Sequence, residues 1–446
     1  MKKNNTDIVI IGSGILGLST ALTLIQTDPN LTIRIIGNIN KSGGASRAAA
    51  AMLGCYGEIT ENHDSSPYIR EKFRCSLEAK SLWGKWIENI NTYNTEKLKI
   101  RKGTHIIHNS LSGAIDTRNY RVVKEALIEN QEPHEEVNFE DIPGINTLDN
   151  FRALDALYLP EEGSICSVSV LDSIKKALQT YETIHFEPTE VKNLLIKNGK
   201  IEKALLENGE SIEGQQFVLA AGAYSQNILD QLPDLARSIP RILSGVGQAL
   251  VISSANTNCK VDSVIRTPNR AGACGLHMVP YGDNIYVGAT NELKIDPEDK
   301  PSVGMIHFVL QCVMDQLNQN LFSEKILDIK TGNRPSPMDG FPLLGQCSVD
   351  NLFILTGTYR DGFHQSPFLA QEASQSILTG SPMLEGMFNP ERRPIKTMTR
   401  EEAVSEAVEH QMATAYEAGA ILPHAFWTDT MKSNIKRGYT SFLSKV

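Results

Sequence analysis

The chain has 446 residues, 41% of them hydrophobic and 21% charged, with a formal net charge of −9. That length exceeds one ordinary core and points to two domains, while the composition is that of a folded soluble protein and excludes a disordered or fibrous one. Acidic and basic residues are mixed along the chain, so neither nucleic acid nor an anionic membrane is expected as the main partner.

The first predicted strand, 8–11, enters Gly12-Ser13-Gly14-Ile15-Leu16-Gly17 and then an apolar helix that Asp28-Pro29 ends. Gly12 makes the tight turn, Gly14 lets a pyrophosphate approach the backbone, and Gly17 lets the helix pack on the strand. The free N–H groups of the helix start, at Ile15 and Leu16, face the phosphates. A dinucleotide site is expected. Residues 8–25 carry no charge and follow Lys2 and Lys3, which a hydropathy window reads as a signal or membrane segment. Three glycines at fingerprint spacing suit a strand–turn–helix instead, so a cytoplasmic protein without a membrane span is expected.

A second strand at 31–36 completes the βαβ unit. Such strands usually end in Glu or Asp, which holds the ribose hydroxyls; here Gly37 and Asn38 follow, and Asn38 offers only a neutral hydrogen bond. Residues 42–54 are small, allowing close approach of backbone and ligand. Residues 66–90 have helical spacing, with Phe73, Leu77, Leu82, Trp86 and Ile90 on one side. Residues 97–160 read as short strands with an acidic stretch at 132–141.

Residues 168–181 read as a helix. Strands follow at 184–186, 191–196 and 201–206, with Asn198-Gly199 and Asn208-Gly209 as hairpin turns. A buried strand at 217–221 runs into a glycine turn, and a strand-rich block spans 245–292. Residues 305–321 are helical, 331–345 loop-rich, 352–356 a last buried strand, 357–362 a turn and 368–378 a helix. The tail is helical over 400–418, with Val404, Ala407, Val408 and Met412 as a weak apolar stripe and Phe426-Trp427 as an apolar anchor. Seven scattered cysteines without a C-x-x-C pair read as reduced thiols, with no disulfide or metal site.

In order, the segments GGASRAAAAMLG (43–54), VLAAGAYS (218–225), HMVPYGDNIYVGAT (277–290), GNRPSPMDGFPLLG (332–345) and GTYRDGF (357–363), with the Gly12/Gly14/Gly17 fingerprint, resemble D-amino-acid oxidase-like FAD oxidoreductases, most of all glycine and sarcosine oxidases. The resemblance covers roughly residues 6–380. It implies a Rossmann-type α/β FAD-binding domain from 1–95, 165–245 and 330–384, interleaved with an α+β antiparallel-sheet substrate domain from 96–164 and 246–329. The remainder, 385–446, is a C-terminal helical extension without counterpart. It also implies oxidation of a C–N bond, with hydride transfer to the flavin, in a small amine or amino acid that bears a carboxylate. Oxygen or another acceptor then reoxidises the flavin, and a homo-oligomer is possible. NAD competes for the fingerprint; the 43–54 segment favours FAD.

By the same resemblance Ser46 and Arg47 face the phosphates, and Ala50 and Met52 line the flavin. Val191 meets the adenine through its backbone, and Ala221-Gly222 lie beside the ribose. Thr331-Gly332-Asn333 stands where some relatives carry a flavin-linking Cys, so FAD is expected to be non-covalent. Arg334 occupies the carboxylate-anchoring place, suited by its planar fork. The backbone of Arg360, Asp361, Gly362 and Phe363 lies at the flavin's pyrimidine edge, where N–H dipoles favour negative charge; the Arg360 side chain lines the pocket. His277 replaces a usual Tyr, and His364 a Lys or apolar residue. As neutral imidazoles they accept an amine proton, as imidazolium they pair with a carboxylate, and as packing residues they do neither. Arg266 and Arg270 are the cations nearest the place for oxygen activation. The other readings are a quinone- or carrier-coupled dehydrogenase, a tailoring enzyme for a larger or carrier-bound substrate, and a flavin-binding protein without turnover.

Overall fold

The strand Ile8–Ile11 divides its side chains between two cores. Ile8 and Ile10 pack with the helices Ile15–Thr27 and Ser366–Thr379, while Val9 and Ile11 pack toward a three-stranded sheet. Both faces are covered, which is why the strand carries no polar residue. The computed structural model describes residues 6–111, 113–270 and 274–443. Lys2, Lys3, residues 271–273 beside Arg270 and the last three residues of the tail lie outside them.

The parallel sheet has six strands in the order Leu343–Gln346, Leu352–Thr356, Gln216–Leu219, Ile8–Ile11, Ile33–Ile36 and Ile184–Glu187, antiparallel only between the first two. Ile11 pairs with both Ile36 and Leu219. The carboxyl ends of three strands are therefore level, and the turns that follow them, at Gly12, Gly37 and Ala220, meet in one crevice. This is where open α/β sheets bind ligands. The hairpins Val191–Lys197, Lys200–Leu206 and Ser211–Glu213 form the covering sheet. Asn198 and Gly199 both take positive φ, as a two-residue turn requires.

A larger sheet of 11 strands is mostly antiparallel and is backed by the helix Val303–Gln316. Its longest pairing runs from Ile242 opposite Pro337 to Ile252 opposite Ile326. The loop expected from 331 is thus the end of a strand, Ile326–Pro337. Its prolines concealed it, yet Pro335 and Pro337 are tolerated because the short strand Gly43–Gly44 covers its other edge only at Gly332 and Asn333. The stretch 97–160 also holds a helix, Ala114–Glu129, whose buried face includes Asp116 and Asn119 among apolar residues. Those polar positions hid its periodicity.

In the tail, Arg400–Glu417 is a helix with a Thr399/Glu402 capping box, and Val404, Val408 and Met412 are buried. A second tail helix spans Ala425–Leu443. Phe426 and Trp427 stand 67% and 47% exposed. The α/β layer, the antiparallel sheet and the helical extension are the architecture expected. Among the described residues no helix is long and apolar enough to cross a membrane.

Candidate active site

A cleft begins at the crevice and runs to the turn after the last buried strand, reaching His364. Its first wall is backbone. At Gly12, with φ +122°, a Cβ would lie 2.3 Å from the Ala220 carbonyl oxygen. Gly14 is the N-cap residue of the helix and supplies no side-chain cap. Instead Ile15 N–H donates to Ser46 Oγ at 3.0 Å. The remaining N–H groups of that first turn give the cleft an anion-favouring end. Gly17 serves the turn itself: a Cβ there would sit 2.0 Å from the Gly12 oxygen.

Gly37 leaves no room for an acidic side chain. Its φ is +150°, and a Cβ would lie 2.9 Å from Ser13 Oγ. Asn38 lines the cleft, but its Oδ1 accepts from the Asn40 backbone N–H at 3.0 Å. The carboxylate on this stretch of wall is Glu190, ion-paired with Lys41 at 3.1 Å. Val191 packs in the core behind it, outside the cleft wall. Sequence reading missed Glu190, since only the fold brings the end of the strand Ile184–Glu187, just before it in the chain, beside Gly37. Arg47 lines the cleft and bonds Asp172 at 2.9 Å. Ala50, Met52, Ala221, Gly222 and Gly332 line its middle.

The far end is built by the large sheet and the 357–365 turn. Arg334 lies on the strand Ile326–Pro337 opposite Gly245. Its Nη1 donates to Thr290 O at 3.1 Å and Asn291 Oδ1 at 3.2 Å. Among the described residues nothing bonds its Nε or Nη2. The guanidinium rests over Gly247, where a Cβ would sit 2.1 Å from Nη1. The 357–365 turn hangs on the helix Pro67–Thr92. Lys72 pairs with Asp361 at 2.9 Å, His364 Nε2–H donates to Ser76 O at 2.8 Å, and Trp83 Nε1–H donates to His364 O at 2.7 Å. Trp83 also stacks on Phe363, which lines the cleft with Gly362.

The two histidines are neutral acceptors. His277 is 3% exposed, and burial pulls its pKa down to about 4. Nδ1 bonds the Gly275 carbonyl at 2.8 Å and so must carry the proton, leaving a lone pair on Nε2, which is buried without a partner. His364 repeats the pattern with the nitrogens exchanged: Nε2 donates to Ser76, Nδ1 is unpartnered, and burial lowers its pKa. The imidazolium reading of both is therefore disfavoured at neutral pH.

Arg360 is held rather than open. Its Nε lies 3.3 Å from Glu58 Oε2, and its Nη1 donates to Arg270 O at 3.0 Å. Burial works to raise the Glu58 carboxyl, but Arg266 and Arg360 overcome it and hold it at about 2. Arg266 pairs with Glu58 at 3.0 Å, and Arg270 lies between Asp116 and Glu417. Neither of these two cations is available to an acceptor in the cleft.

A glycine turn at an uncapped helix start, a backbone-walled channel and two buried lone pairs at its far end fit a flavin dinucleotide. The family model described as FAD dependent oxidoreductase (DAO) matches residues 7–376. The bifunctional protein ThiO/ThiG of Synechocystis is 23% identical over 405 residues, covering 87% of this chain and 54% of that one. A D-amino acid dehydrogenase of Vibrio atlanticus is 30% identical over 211 residues, covering 46% of this chain and 47% of that one. The chain thus spans about half the length of these curated relatives. In fold, glycine oxidase from Bacillus cereus superposes with a TM-score of 0.72 at 18% identity, covering 88% of this chain and 100% of that one. The match across 7–376 places the chain in the DAO family of FAD-dependent oxidoreductases.

Proposed function

We propose that this protein oxidises the C–N bond of a small amine or amino acid bearing a carboxylate, with FAD held non-covalently. The observation that carries the reading is Arg334. Its guanidinium lies on Gly247 with Nε and Nη2 directed to no protein acceptor among the described residues, in the same cleft as the dinucleotide turn. Those donors match a carboxylate's two oxygens. His277 Nε2 and His364 Nδ1, as neutral acceptors, take hydrogen bonds from the substrate nitrogen and favour its uncharged form. FAD, when bound, supplies the acceptor for the hydride that leaves the carbon beside that nitrogen. The resulting imine hydrolyses in water.

Gly12, Gly14, Ile15, Leu16 and Ser46 would hold the diphosphate, and Glu190 the ribose in place of an acid at 37. The backbone of 360–363 would lie against the flavin ring. Thr331–Asn333 offers no thiol for a covalent link, and Asn333 is committed to Gly43, Ser244 and Glu298. The domain division inferred from the sequence, a cytoplasmic location and a homo-oligomer remain part of this reading.

The capture of Arg266 and Arg270 by carboxylates favours a second reading, electron delivery to an acceptor other than oxygen. The deciding experiment is anaerobic flavin reduction across glycine, sarcosine, D- and L-amino acids and simple amines, followed by admission of air. Bleaching by carboxylate-bearing amines supports the function, and the rate of colour return separates oxidase from dehydrogenase. Protein that purifies colourless and binds NAD instead would defeat it.

A further inference from the structure

Behind the 357–365 turn lies a second cavity of about 410 Å³. It meets the first across Glu58, Tyr359, Arg360 and Asp361, which line both. The boundary is made of side chains and one turn, not of a strand. Part of its wall is Thr397, Met398 and Glu406, from the tail that follows the family-matched residues 7–376. Elsewhere Ile59, Phe73, Pro337 and Phe341 make it apolar.

Three of the carboxylates in this wall are paired, while Glu406, which has no ion-pair partner among the described residues, is pushed by burial toward its neutral form. Glu58 is held by Arg266 and Arg360, Asp361 by Lys72, and Asp339 by Arg392 at 2.9 Å. An anionic group entering would find no unpaired cation among the described residues of this wall, and Glu406, which burial drives toward its neutral form, offers a cation only a weakened partner, whereas an apolar group would find apolar contact. His63 Nδ1, also in this wall, is buried without a partner among the described residues.

Resting on the function proposed above, we infer that this chamber receives a neutral, largely apolar limb of the substrate. The limb is attached to the amine nitrogen or to the carbon beside it. The Arg334 end holds the carboxylate, the cleft holds the reacting C–N bond, and the limb passes Tyr359 and Arg360 into the chamber. The tail then acts as a specificity element: Met398 and Thr397 set how long the limb is. The preferred substrate is accordingly larger than glycine.

The test uses the full-length FAD-loaded protein, wild type and Met398→Trp, whose indole fills the chamber from the tail side. Unreactive acetate, hexanoate and 3-phenylpropionate are titrated against the flavin absorbance. Anaerobic flavin reduction is then timed with sarcosine, N-butylglycine and N-benzylglycine. Wild type should bind hexanoate or phenylpropionate at least about tenfold tighter than acetate, since each buried methylene adds to affinity. It should also be reduced faster by the N-alkyl compounds than by sarcosine. Met398→Trp should lose both preferences, while reduction by sarcosine, which carries no limb to reach residue 398, should fall by a smaller factor than reduction by the N-alkyl compounds. Equal binding of short and long acids, with reduction by sarcosine intact, would overturn the chamber's role and leave the proposed function standing. A Met398→Trp effect confined to reoxidation would assign the chamber to the electron acceptor and overturn the inference. Reduction by none of the amines would remove the function and the inference with it.

Discussion

Arg270 and Glu417 meet in a two-pronged ion pair, 2.8 Å at both contacts, with side chains only 6% and 9% exposed. Asp116, fully buried, takes the other edge of the same guanidinium at 2.7 and 3.0 Å. Burial alone would lower the Arg270 pKa, but Glu417 and Asp116 overcome it and fix the charge. The pair ties the end of the first tail helix to the segment whose carbonyl, Arg270 O, receives Arg360 Nη1–H. Tail and candidate active site are therefore joined through one residue.

Glu417→Gln keeps the shape and removes one of two carboxylates around a buried cation. Breaking one partner of a buried pair costs about 3–5 kcal/mol, and the remaining Asp116 contact places this case toward the lower end. A lower urea midpoint and faster proteolysis within 400–417 are expected. Arg360 should also become less fixed, lowering the flavin reduction rate at saturating substrate more than it changes KM. Unchanged stability would show that the pair contributes little beyond its geometry.

Arg334→Ala should raise KM for a carboxylate-bearing amine by at least about tenfold, the equivalent of a charge-assisted pair worth about 1.5–3 kcal/mol. Gly247→Ala is the finer probe. Its backbone is not left-handed, and the atoms nearest the new Cβ are those of the Arg334 guanidinium, Nη1 lying 2.1 Å away. The protein should fold and bind FAD normally while KM rises in the same direction. A normal KM in both variants would take Arg334 out of substrate binding.

Glu190→Gln tests the relocated acid. A carboxylate holding ribose hydroxyls contributes a hydrogen bond to a charged group, so FAD should bind about tenfold weaker in the variant. FMN lacks the adenosine, and its affinity should not change. Equal weakening of both would point to distorted phosphates rather than a lost ribose contact. Flavin fluorescence quenching reads both affinities.

The glycine turn was legible because part of its demand is local: a Cβ at Gly17 would sit 2.0 Å from the Gly12 oxygen, within the same turn. Hairpins at Asn198-Gly199 and Asn208-Gly209 were legible for the same reason. Arg334, His277 and His364 were placed by resemblance, and periodicity alone gives no hint of them. What stayed hidden is tertiary. Glu190 reaches Lys41 only after the sheet aligns Ile33–Ile36 with Ile184–Glu187, and Glu58 meets Arg266 and Arg360 across more than two hundred residues of chain. The helix Ala114–Glu129 hid because its buried face spends Asp116 on Arg270.

Stability should fall as pH drops from about 6.5 to about 4. His105, His277 and His410 all have pKa values lowered to about 4, burial being the largest cause in each. The unfolded chain takes up protons near the ordinary value of about 6.5, while the folded chain refuses them until about 4. Within that window protonation favours the unfolded state, so the stability present above 6.5 is progressively lost. For His277 the loss at the bottom of the window is on the order of 3 kcal/mol. Glu58, held at about 2, adds to the loss only below its unfolded value of 4.5. Urea midpoints at pH 7, 6, 5 and 4.5, in excess FAD, should decline for wild type and decline less steeply for His277→Asn. The activity limb should behave differently. His277 is already neutral above about pH 5, so a rise in flavin reduction with pH follows the substrate's amine, and His277→Asn should lower its height without moving its midpoint. A midpoint that moved with the substitution would assign the titration to His277 and contradict its neutral state.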